Sequence, residues 1–474
     1  MRRRLALFVF LILVATAAIA VPPRRAPNDR PLAPTLAQSS LPGPVHHLIV
    51  ISIDGMKPQT YTEPDAHGLK VPTLRDMVRN GASSDGVQPV MPSVTYPSHT
   101  TMMTGVNPGV HGIVTNPAWD PFQQNYNGYR WYEEDIRVPA LWQLAHKRGL
   151  RTALVHWPVT VGAQADLIVP EYWRANIPED LKILRALSTR GVLDEVSREF
   201  PDFDAGITPP IQSDAAYTDI ACYAIRKLQP NLLLLHLAMV DHEEHEHGPF
   251  SPASNAATET ADAQVARIIA EAKKAGIWDS TVLVVLSDHG FLPISTTLRP
   301  GVLLHAHGLI TLNDKNRITA WKASLISNGG SAYIYLRDPN DAQTRQAVLD
   351  LFQPLAGAPG AGIRRIATHD EIVAMGGDPN ALLALEAADQ TVISSDYTGE
   401  LLSPSAIGGT HGYFPDRPEM RSSLIFYGLS IGAGKIENAR MIDIAPTLAR
   451  WLGVELPNAQ GSALTVPSSA TGRN

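Results

Sequence analysis

Residues 48–54 read Leu-Ile-Val-Ile-Ser-Ile-Asp, a nearly continuous apolar run that ends in an acid. Two later stretches have the same form: Leu232–Val240, interrupted only by His236, and Val282–Leu286. Such runs are typical of strands buried on both faces, as in parallel sheets. Helical patterns lie between them, including one that ends before Gly276. The sequence therefore predicts an α/β fold with a largely parallel central sheet and helices on both faces.

The composition excludes several classes of protein. The chain has 474 residues, of which 44% are hydrophobic, so it can bury a large core and is not disordered as a whole. Its net charge is −7, with no basic run beyond Arg2–Arg4, and we therefore expect no nucleic-acid polymer as a partner. Cys222 is the single cysteine, which excludes an intrachain disulfide or a thiolate metal site. Any metal must be held by carboxylates and by some of the 16 histidines.

The N-terminus has the pattern of an export signal. A basic start is followed by an apolar stretch and by Ala18-Ile19-Ala20, which fits a cleavage site. The apolar run of 16 residues is shorter than the ~20 that a membrane-spanning helix needs, so we expect no stable span after processing. Residues 1–20 are predicted to be a signal peptide and 21–44 a Pro-rich linker. Export without disulfides favours a periplasmic or secreted protein.

The three apolar runs all lead into acids, namely Asp54, Asp241 and Asp288. In open α/β sheets, ligands bind at the carboxyl ends of the strands. A single Asp after a strand is usually a turn or cap residue. The coincidence of three, two of which have histidines close behind, favours one shared site instead.

Histidines accompany two of these acids. His289 is adjacent to its acid, and His245 lies four residues after its own, so that one local turn could aim both side chains at one cation. A third histidine is needed. His411, flanked by a Gly-Thr pair and Gly, is one candidate, and His305 and His307 are rivals. Spacing alone leaves these three open.

Three aspartates and three histidines exceed what one divalent ion needs but suit two. Nitrogen and oxygen ligands of this kind favour Zn²⁺, with Mn²⁺ as an alternative. Two ions about 3.5–4 Å apart can clamp both the attacking and the leaving oxygen of an in-line displacement at phosphorus. The ligand set therefore predicts a site with two divalent ions.

A hydroxyl-rich segment could supply the nucleophile. Residues 91–101 read Met-Pro-Ser-Val-Thr-Tyr-Pro-Ser-His-Thr-Thr and are followed by a short predicted helix that ends at Gly105. A hydroxyl at the start of such a helix would lie near its positive end, which suits an anionic phosphoryl group. Alternatively, Ser98 caps the helix and Thr95 has no special role.

Together these segments resemble the nucleotide pyrophosphatase/phosphodiesterase family (type I phosphodiesterases) of the alkaline phosphatase superfamily. The resemblance covers roughly residues 46–464, and order and separation match as well as residue type. It implies an alkaline phosphatase-like catalytic domain over 45–464. Within the chain we also expect an inserted subdomain at about 292–404 and a loose polar tail over 465–474. The matching stretches are Ile51–Gly55, Pro92–His99, Thr104–Gly105 through His111–Ile113, Asp241–Pro249, Ser287–Gly290, Gly409–Tyr413 and Ile442–Leu448.

The resemblance also implies a role for each residue. Thr95 matches the nucleophile that becomes a covalent phosphoryl- or nucleotidyl-threonine, and Asn116 matches the Asn that hydrogen-bonds a non-bridging oxygen beside the metals. Asn116 could instead be a turn residue before Pro117. The metal ligands follow as two sets: Asp241, His245 and His411 match one zinc site, and Asp54, Asp288 and His289 match the other. Thr95 is the seventh metal-linked residue, because its hydroxyl would coordinate a divalent ion.

Neighbouring activities fit the sequence less well. Sulfatases of the same fold carry Cys/Ser-x-Pro-x-Arg, whereas this chain has Thr95 and His99 at the first and last of those positions. Phosphomonoesterases add a positive side chain, but residues 159–172 contain no Lys or Arg. A phosphodiesterase or nucleotide pyrophosphatase is therefore predicted. A metal-dependent phosphomonoesterase is the first alternative, and a phosphonate hydrolase or a non-catalytic metal-binding protein is less favoured.

The motifs do not identify the substrate. A nucleobase slot needs aromatic or apolar side chains beside the nucleophile, and a choline head group would also use aromatic rings. The candidates, which the sequence does not rank, are Tyr96, Tyr126, Trp131, Trp157, Tyr172 and Trp173.

Overall fold

The computed structural model describes residues 45–122, 124, 128–173, 177–207 and 213–469. The predicted signal peptide, the predicted linker up to residue 44 and residues 470–474 of the predicted tail lie outside the described residues. In the described part of the chain, none of the helices has the length and hydropathy required to cross a membrane.

The strands of the described residues are numbered in chain order. They are β1 (His47–Ile53), β2 (Ala82–Ser83), β3 (Thr152–Val155), β4 (Leu167–Val169), β5 (Leu232–Leu237), β6 (Thr281–Leu286), β7 (Leu292–Pro293), β8 (Thr296–Leu298), β9 (Ile310–Leu312), β10 (Ile318–Trp321), β11 (Ala323–Ser327), β12 (Ser331–Leu336), β13 (Ile363–Thr368), β14 (Leu383–Ala387), β15 (Thr391–Ile393), β16 (Leu402–Pro404), β17 (Gly409–Thr410), β18 (Leu424–Gly428) and β19 (Gly434–Lys435).

The α-helices are numbered in the same way. They are α1 (Gln59–Thr62), α2 (Pro72–Asn80), α3 (Thr95–Thr104), α4 (Pro108–His111), α5 (Leu141–Lys147), α6 (Pro178–Leu187), α7 (Val192–Glu199), α8 (Phe203–Gly206), α9 (Asp214–Leu228), α10 (Met239–His247), α11 (Pro252–Lys274), α12 (Pro300–Ala306), α13 (Ala342–Phe352), α14 (His369–Ala374) and α15 (Ile444–Leu452). Short 3₁₀ helices span Glu133–Asp135, Trp278–Ser280, Gln353–Leu355, Pro418–Met420 and Met441–Asp443.

The central sheet has eight strands in the order β19-β2-β18-β6-β1-β5-β3-β4. The five strands from β6 to β4 all run parallel to one another. β18 is antiparallel to both β6 and β2. The prediction of an α/β fold with a largely parallel sheet is confirmed.

Both faces of the sheet are buried, as the continuous apolar runs predict. In β1, Ile49 and Ile51 pack into a core with residues of α2, α9 and α11. Leu48 and Val50 point to the other face and pack with residues of α3, α5 and α15. This alternation follows from the two-residue period of a strand and places helices on both faces.

The three central strands end side by side, because β6, β1 and β5 are parallel neighbours. Asp54 directly follows β1, and Asp288 is the second residue after β6. The second apolar run differs from the prediction: β5 stops at Leu237, and Val240 and Asp241 already belong to α10.

A buried carboxylate explains this early change from strand to helix. Oδ1 of Asp214, on α9, accepts hydrogen bonds from the backbone N–H groups of Ala238 (2.8 Å) and Met239 (3.3 Å). It therefore satisfies two backbone donors where α10 begins. Burial outweighs these hydrogen bonds and raises the pKa of Asp214 to about 7.

The chain between β6 and β18 forms further sheets. The largest is antiparallel, with the order β11-β12-β14-β13 and its own apolar cluster that includes Ile334, Phe352 and Leu385. The pairing of β17 with β7 brings the chain back to the central sheet just before His411. The boundaries of the inserted subdomain and of the catalytic domain remain predictions. In the predicted tail, Ser468 forms a β-bridge with Ile431.

Candidate active site

The candidate nucleophile lies at the first position of α3. Thr95 begins this helix after an extended Val94, and the left-handed Gly105 ends it. Ser98 lies one turn inside the helix and therefore does not cap it. Thr95 is 8% exposed, and its hydroxyl lies at the positive end of the helix dipole. The hydroxyl Oγ1 is 3.5 Å from Nε2 of His289.

The imidazole of His289 lies at the centre of the carboxylate cluster. Its Nε2 is 3.2 Å from Oδ1 of Asp54, 3.2 Å from Oδ2 of Asp288 and 3.9 Å from Oδ1 of Asp241. The backbone N–H of Gly55 donates a hydrogen bond to Oδ1 of Asp288. The acids that follow the three central strands therefore converge beside Thr95.

The other two histidines also lie near Asp241, His245 on the same helix and His411 in a distant segment. In α10, Nε2 of His245 is 3.5 Å from Oδ1 of Asp241, as the spacing of four residues predicts. Nε2 of His411 is 3.6 Å from the same oxygen. Nδ1 of His245 donates to the carbonyl of Gly409, and Nδ1 of His411 donates to the carbonyl of Ser93. Because each Nδ1 carries the proton, each Nε2 keeps a lone pair that can bind a metal.

The glycine after His411 is required by close packing. Gly412 has φ = +82°, and a Cβ atom there would lie 1.6 Å from the carbonyl oxygen of Asn328. A larger residue would displace the loop that presents His411. The rival candidates His305 and His307 are exposed on and beside α12, and each bonds a backbone carbonyl there.

The donor atoms fit divalent cations. They form two clusters in which the ligand atoms lie within 4.8 Å of one another, Asp54–Asp288–His289 and Asp241–His289–His411. Within the described residues, Oδ1 of Asp54, Oδ1 of Asp241 and Oδ2 of Asp288 are buried and accept no hydrogen bond. Buried carboxylate oxygens without partners are costly unless a cation balances them. His289 belongs to both clusters, whereas the resemblance assigned it to one set and His245 to the other.

The electrostatics of the cluster lead to the same conclusion. Burial and the charge of Asp54 raise the pKa of Asp241 and Asp288 well above the ordinary value. Burial would raise the pKa of Asp54 too, but the hydrogen bond with His236 and the nearby ring of His289 hold that pKa well below the usual range. Without cations, burial and mutual repulsion therefore disfavour the ionised forms of Asp241 and Asp288, whereas bound cations would favour them.

Asn116 faces the start of the nucleophile helix. Its Oδ1 accepts a hydrogen bond of 2.9 Å from the backbone N–H of Tyr96. This bond fixes the orientation of the side-chain amide, so its NH₂ group is the end available as a donor. Asn116 also lines the cavity that contains Thr95.

The cavity has a volume of about 300 Å³ and an aromatic wall. Of the aromatic candidates, Tyr96 and Trp173 line it, and Trp131, Trp157 and Tyr172 do not. Tyr126 lies outside the described residues. None of the described residues that line the cavity is a lysine or an arginine.

Several lining residues were missed by the sequence reasoning. Tyr129 packs edge-on against Trp173, with ring centroids 4.6 Å apart, and the buried side chains of Glu171 and His236 also line the cavity. His236 had a signal, since it is the one polar residue in the second apolar run. No local pattern marked Glu171 or Tyr129, because their role depends on how distant segments meet.

Comparison with known proteins identifies the family. Residues 48–414 match the protein-family model described as type I phosphodiesterase / nucleotide pyrophosphatase. The chain belongs to this family. The family predicted from the motifs is thereby confirmed.

The relatives are distant. An uncharacterized pyrophosphatase/phosphodiesterase of Schizosaccharomyces pombe is 27% identical over 52% of this chain and 45% of its own length. The bis(5′-adenosyl)-triphosphatase enpp4 of Xenopus laevis is 24% identical over 52% of this chain and 48% of its own. The chain thus spans about half the length of these curated relatives.

Solved structures of the family share the fold. Human ectonucleotide pyrophosphatase/phosphodiesterase 5 superposes with a TM-score of 0.62, at 16% identity, over 88% of this chain and 97% of its own. The murine protein, solved as an inactive threonine-to-alanine variant in complex with AMP, gives a TM-score of 0.61 at 18% identity, over 89% of this chain and 100% of its own.

Proposed function

We propose that this protein hydrolyses phosphodiester or pyrophosphate bonds of nucleotides through a covalent intermediate on Thr95, with two divalent ions as cofactors. The observation that supports this most directly is the convergence of three aspartates and three histidines, from distant segments, around one threonine oxygen. The mixture of imidazole and carboxylate ligands favours Zn²⁺.

The eight predicted site residues would have separate roles in metal binding and catalysis. Asp54, Asp288 and His289 would hold one ion, and Asp241, His245 and His411 the other, with His289 near both. When bound, the ions supply Lewis acidity, which lowers the pKa of a coordinated hydroxyl and neutralises charge on phosphoryl oxygens.

The chain itself supplies the nucleophile and its orientation. Oγ1 of Thr95 attacks phosphorus, the bond from phosphorus to the leaving oxygen breaks, and the phosphoryl or nucleotidyl group becomes an ester of Thr95. Water then attacks the same phosphorus and releases Oγ1. The amide NH₂ of Asn116 donates to a non-bridging oxygen in both steps.

The cavity favours a nucleotide over a simple monoester. Its described lining holds no lysine or arginine, and the charged ring of His236 is already paired with the carboxylates of Asp54 and Glu171. The lining therefore lacks a free positive charge that would balance a phosphate dianion. Tyr129 and Trp173 offer ring faces and edges to a base. Two relatives support this choice by name, one as a bis(5′-adenosyl)-triphosphatase and one in complex with AMP. We expect faster turnover of a dinucleoside polyphosphate than of p-nitrophenyl phosphate.

Export remains part of the proposal. It rests on the pattern of residues 1–20 and on relatives named as ectonucleotide pyrophosphatases and venom phosphodiesterases.

The nucleophile is tested by Thr95→Ala, assayed with bis(p-nitrophenyl) phosphate in the presence of Zn²⁺. Loss of the attacking oxygen should lower kcat by about 10³-fold or more. Thr104→Ala is the matched control, because Thr104 lies on the same helix and its hydroxyl bonds only the backbone carbonyl of Thr100 among described residues. Acid quenching during turnover, followed by peptide mass spectrometry, should find the phosphoryl adduct on the peptide that contains Thr95.

Two results would contradict the proposal. If Thr95→Ala and Thr104→Ala turn over substrate at the same rate, Thr95 is not the nucleophile. If turnover by the wild-type protein survives exhaustive treatment with a chelator, no metal takes part.

A further inference from the structure

A buried row of three side chains leads from the candidate metal ligand Asp54 to the cavity wall. Nε2 of His236 is 3.0 Å from Oδ2 of Asp54, and Nδ1 of the same ring is 3.2 Å from Oε2 of Glu171. All three residues are at most 5% exposed. Neither His236 nor Glu171 belongs to the predicted ligand sets.

The hydrogen-bond partners fix the role of the His236 ring. Its Nδ1 also lies 3.1 Å from the carbonyl oxygen of His156. Carbonyl and carboxylate oxygens accept hydrogen bonds, so both ring nitrogens of His236 must donate. As a result Oδ2 of Asp54 is held by the ring, while its Oδ1 stays without a hydrogen bond and faces His289 in the cluster.

Packing prevents the His236 ring from turning. The ring of His156 stacks against it with centroids 5.2 Å apart, and His156 in turn stacks on Tyr217 at 3.8 Å. The ring of His99 contacts it edge-on at 4.6 Å. His99 is itself fixed by Nδ1, which bonds the carbonyl of Thr95. The orientation of His236 is therefore set on both sides by rings with partners of their own.

Glu171 connects this row to the surface that meets the substrate. Its Oε1 accepts hydrogen bonds from the hydroxyl of Tyr96 at 2.8 Å and from Nε1 of Trp173 at 3.2 Å. Both aromatic side chains line the cavity. One oxygen of Glu171 thus holds two rings of the wall by hydrogen bonds, while the other forms an ion pair with the His236 ring at 3.2 Å and accepts no hydrogen bond.

We propose that His236 and Glu171 are positioning residues. They orient Asp54 for the ion that it would bind together with Asp288 and His289, and they link this ion's site to the aromatic wall of the cavity. This inference rests on the proposed function. Residues that orient a metal ligand through hydrogen bonds typically change metal affinity by 10- to 100-fold when they are replaced. The effect should be confined to the ion that Asp54 binds, because His245 and His411 have separate backbone partners.

The test measures the affinity of the two Zn²⁺ ions by competition with a chelating indicator, in the full chain. We expect His236→Gln and Glu171→Gln each to weaken one ion by 10- to 100-fold and to leave the other within threefold of the wild-type value. Asp54→Asn provides the reference for which ion is lost. Because the two residues act in one row, the double variant should lose less than the product of the single losses.

Two matched controls separate positioning from general damage to the fold. His47→Gln removes a buried histidine from β1, the strand that Asp54 directly follows, and there Nδ1 bonds the carbonyl of Pro230. Glu133→Gln alters another carboxylate that accepts from a tryptophan, Trp142. Both controls should keep both zinc affinities, whatever they cost in thermal stability.

The outcomes are distinguishable. If the wild-type protein binds no Zn²⁺, the proposed function itself fails. If it binds two ions and both affinities persist in His236→Gln and Glu171→Gln, the positioning role is wrong. If both ions weaken equally in these variants, the residues act on the fold in general, which also overturns the inference.

Discussion

Replacing Asn116 by Asp should separate catalysis from folding at this position. Asp keeps an oxygen that can accept the 2.9 Å hydrogen bond from the N–H of Tyr96. What changes is the other end of the side chain, where a donor NH₂ becomes a carboxylate oxygen. Asn116→Ala removes both ends. The pair of variants therefore distinguishes the donor in the cavity from the acceptor that anchors the helix.

The structure sets the size of each effect. One donor directed at a phosphoryl oxygen is lost in both variants, and the loss of such a donor typically lowers kcat by about 10²–10³-fold, or about 2.7–4 kcal/mol. The anchoring hydrogen bond is lost in Asn116→Ala alone, which should cost about 1 kcal/mol of unfolding free energy. Asn116→Asp should then be as inactive as Asn116→Ala but more stable.

The assay is steady-state hydrolysis of bis(p-nitrophenyl) phosphate with saturating Zn²⁺, together with urea unfolding of each variant. The control is Asn231→Asp, since Oδ1 of Asn231 also accepts a backbone N–H, from Arg151, at the opposite end of the sheet. This control should retain kcat. The reasoning is refuted if Asn116→Asp loses less than about threefold in kcat, or if the loss in Asn116→Ala matches a loss of folded protein.

Two further changes test the buried acids. Asp241→Asn should raise the unfolding free energy of the metal-free protein by about 1–3 kcal/mol, because it removes one of three crowded carboxyl groups. Thermal unfolding in the presence of a chelator measures this difference. A variant less stable than the wild type would contradict the prediction. Between pH 3.8 and about 7, Asp214 keeps a proton in the native protein that it has released in the unfolded chain. The contribution of Asp214 to wild-type stability therefore falls as the pH rises through this range. Asp214→Asn keeps an oxygen that accepts from Ala238 but does not titrate. Measured by urea unfolding, the stability of this variant relative to wild type should therefore increase from pH 4 to pH 8. If the difference in unfolding free energy stays constant over that range, the pKa of Asp214 is not raised.

The strands that carry the site could be predicted because burial on both faces requires a nearly continuous run of apolar residues. A parallel strand with helices on each side needs apolar residues at nearly every position, as in residues 48–53, where Ser52 is the exception. The acid at its end is then conspicuous. The end of β5 was less predictable, because an apolar run does not show where a strand becomes a helix. The early turn depends on Asp214, which lies 24 positions before Ala238.

The side chains behind the ligands could not be found by spacing, since they depend on how strands align. Register places His236 beside Ser52 in the neighbouring strand β1, two residues before Asp54. Both are polar interruptions of otherwise apolar runs, and His99 contacts both, through a 2.8 Å hydrogen bond to Ser52 and the ring contact with His236. A polar residue inside a strand buried on both faces needs a partner. Ser52 and His236 each interrupt an apolar run that leads to a candidate metal ligand. Together they predict a layer of hydrogen-bonded side chains next to the site. They do not reveal that this layer extends to Glu171.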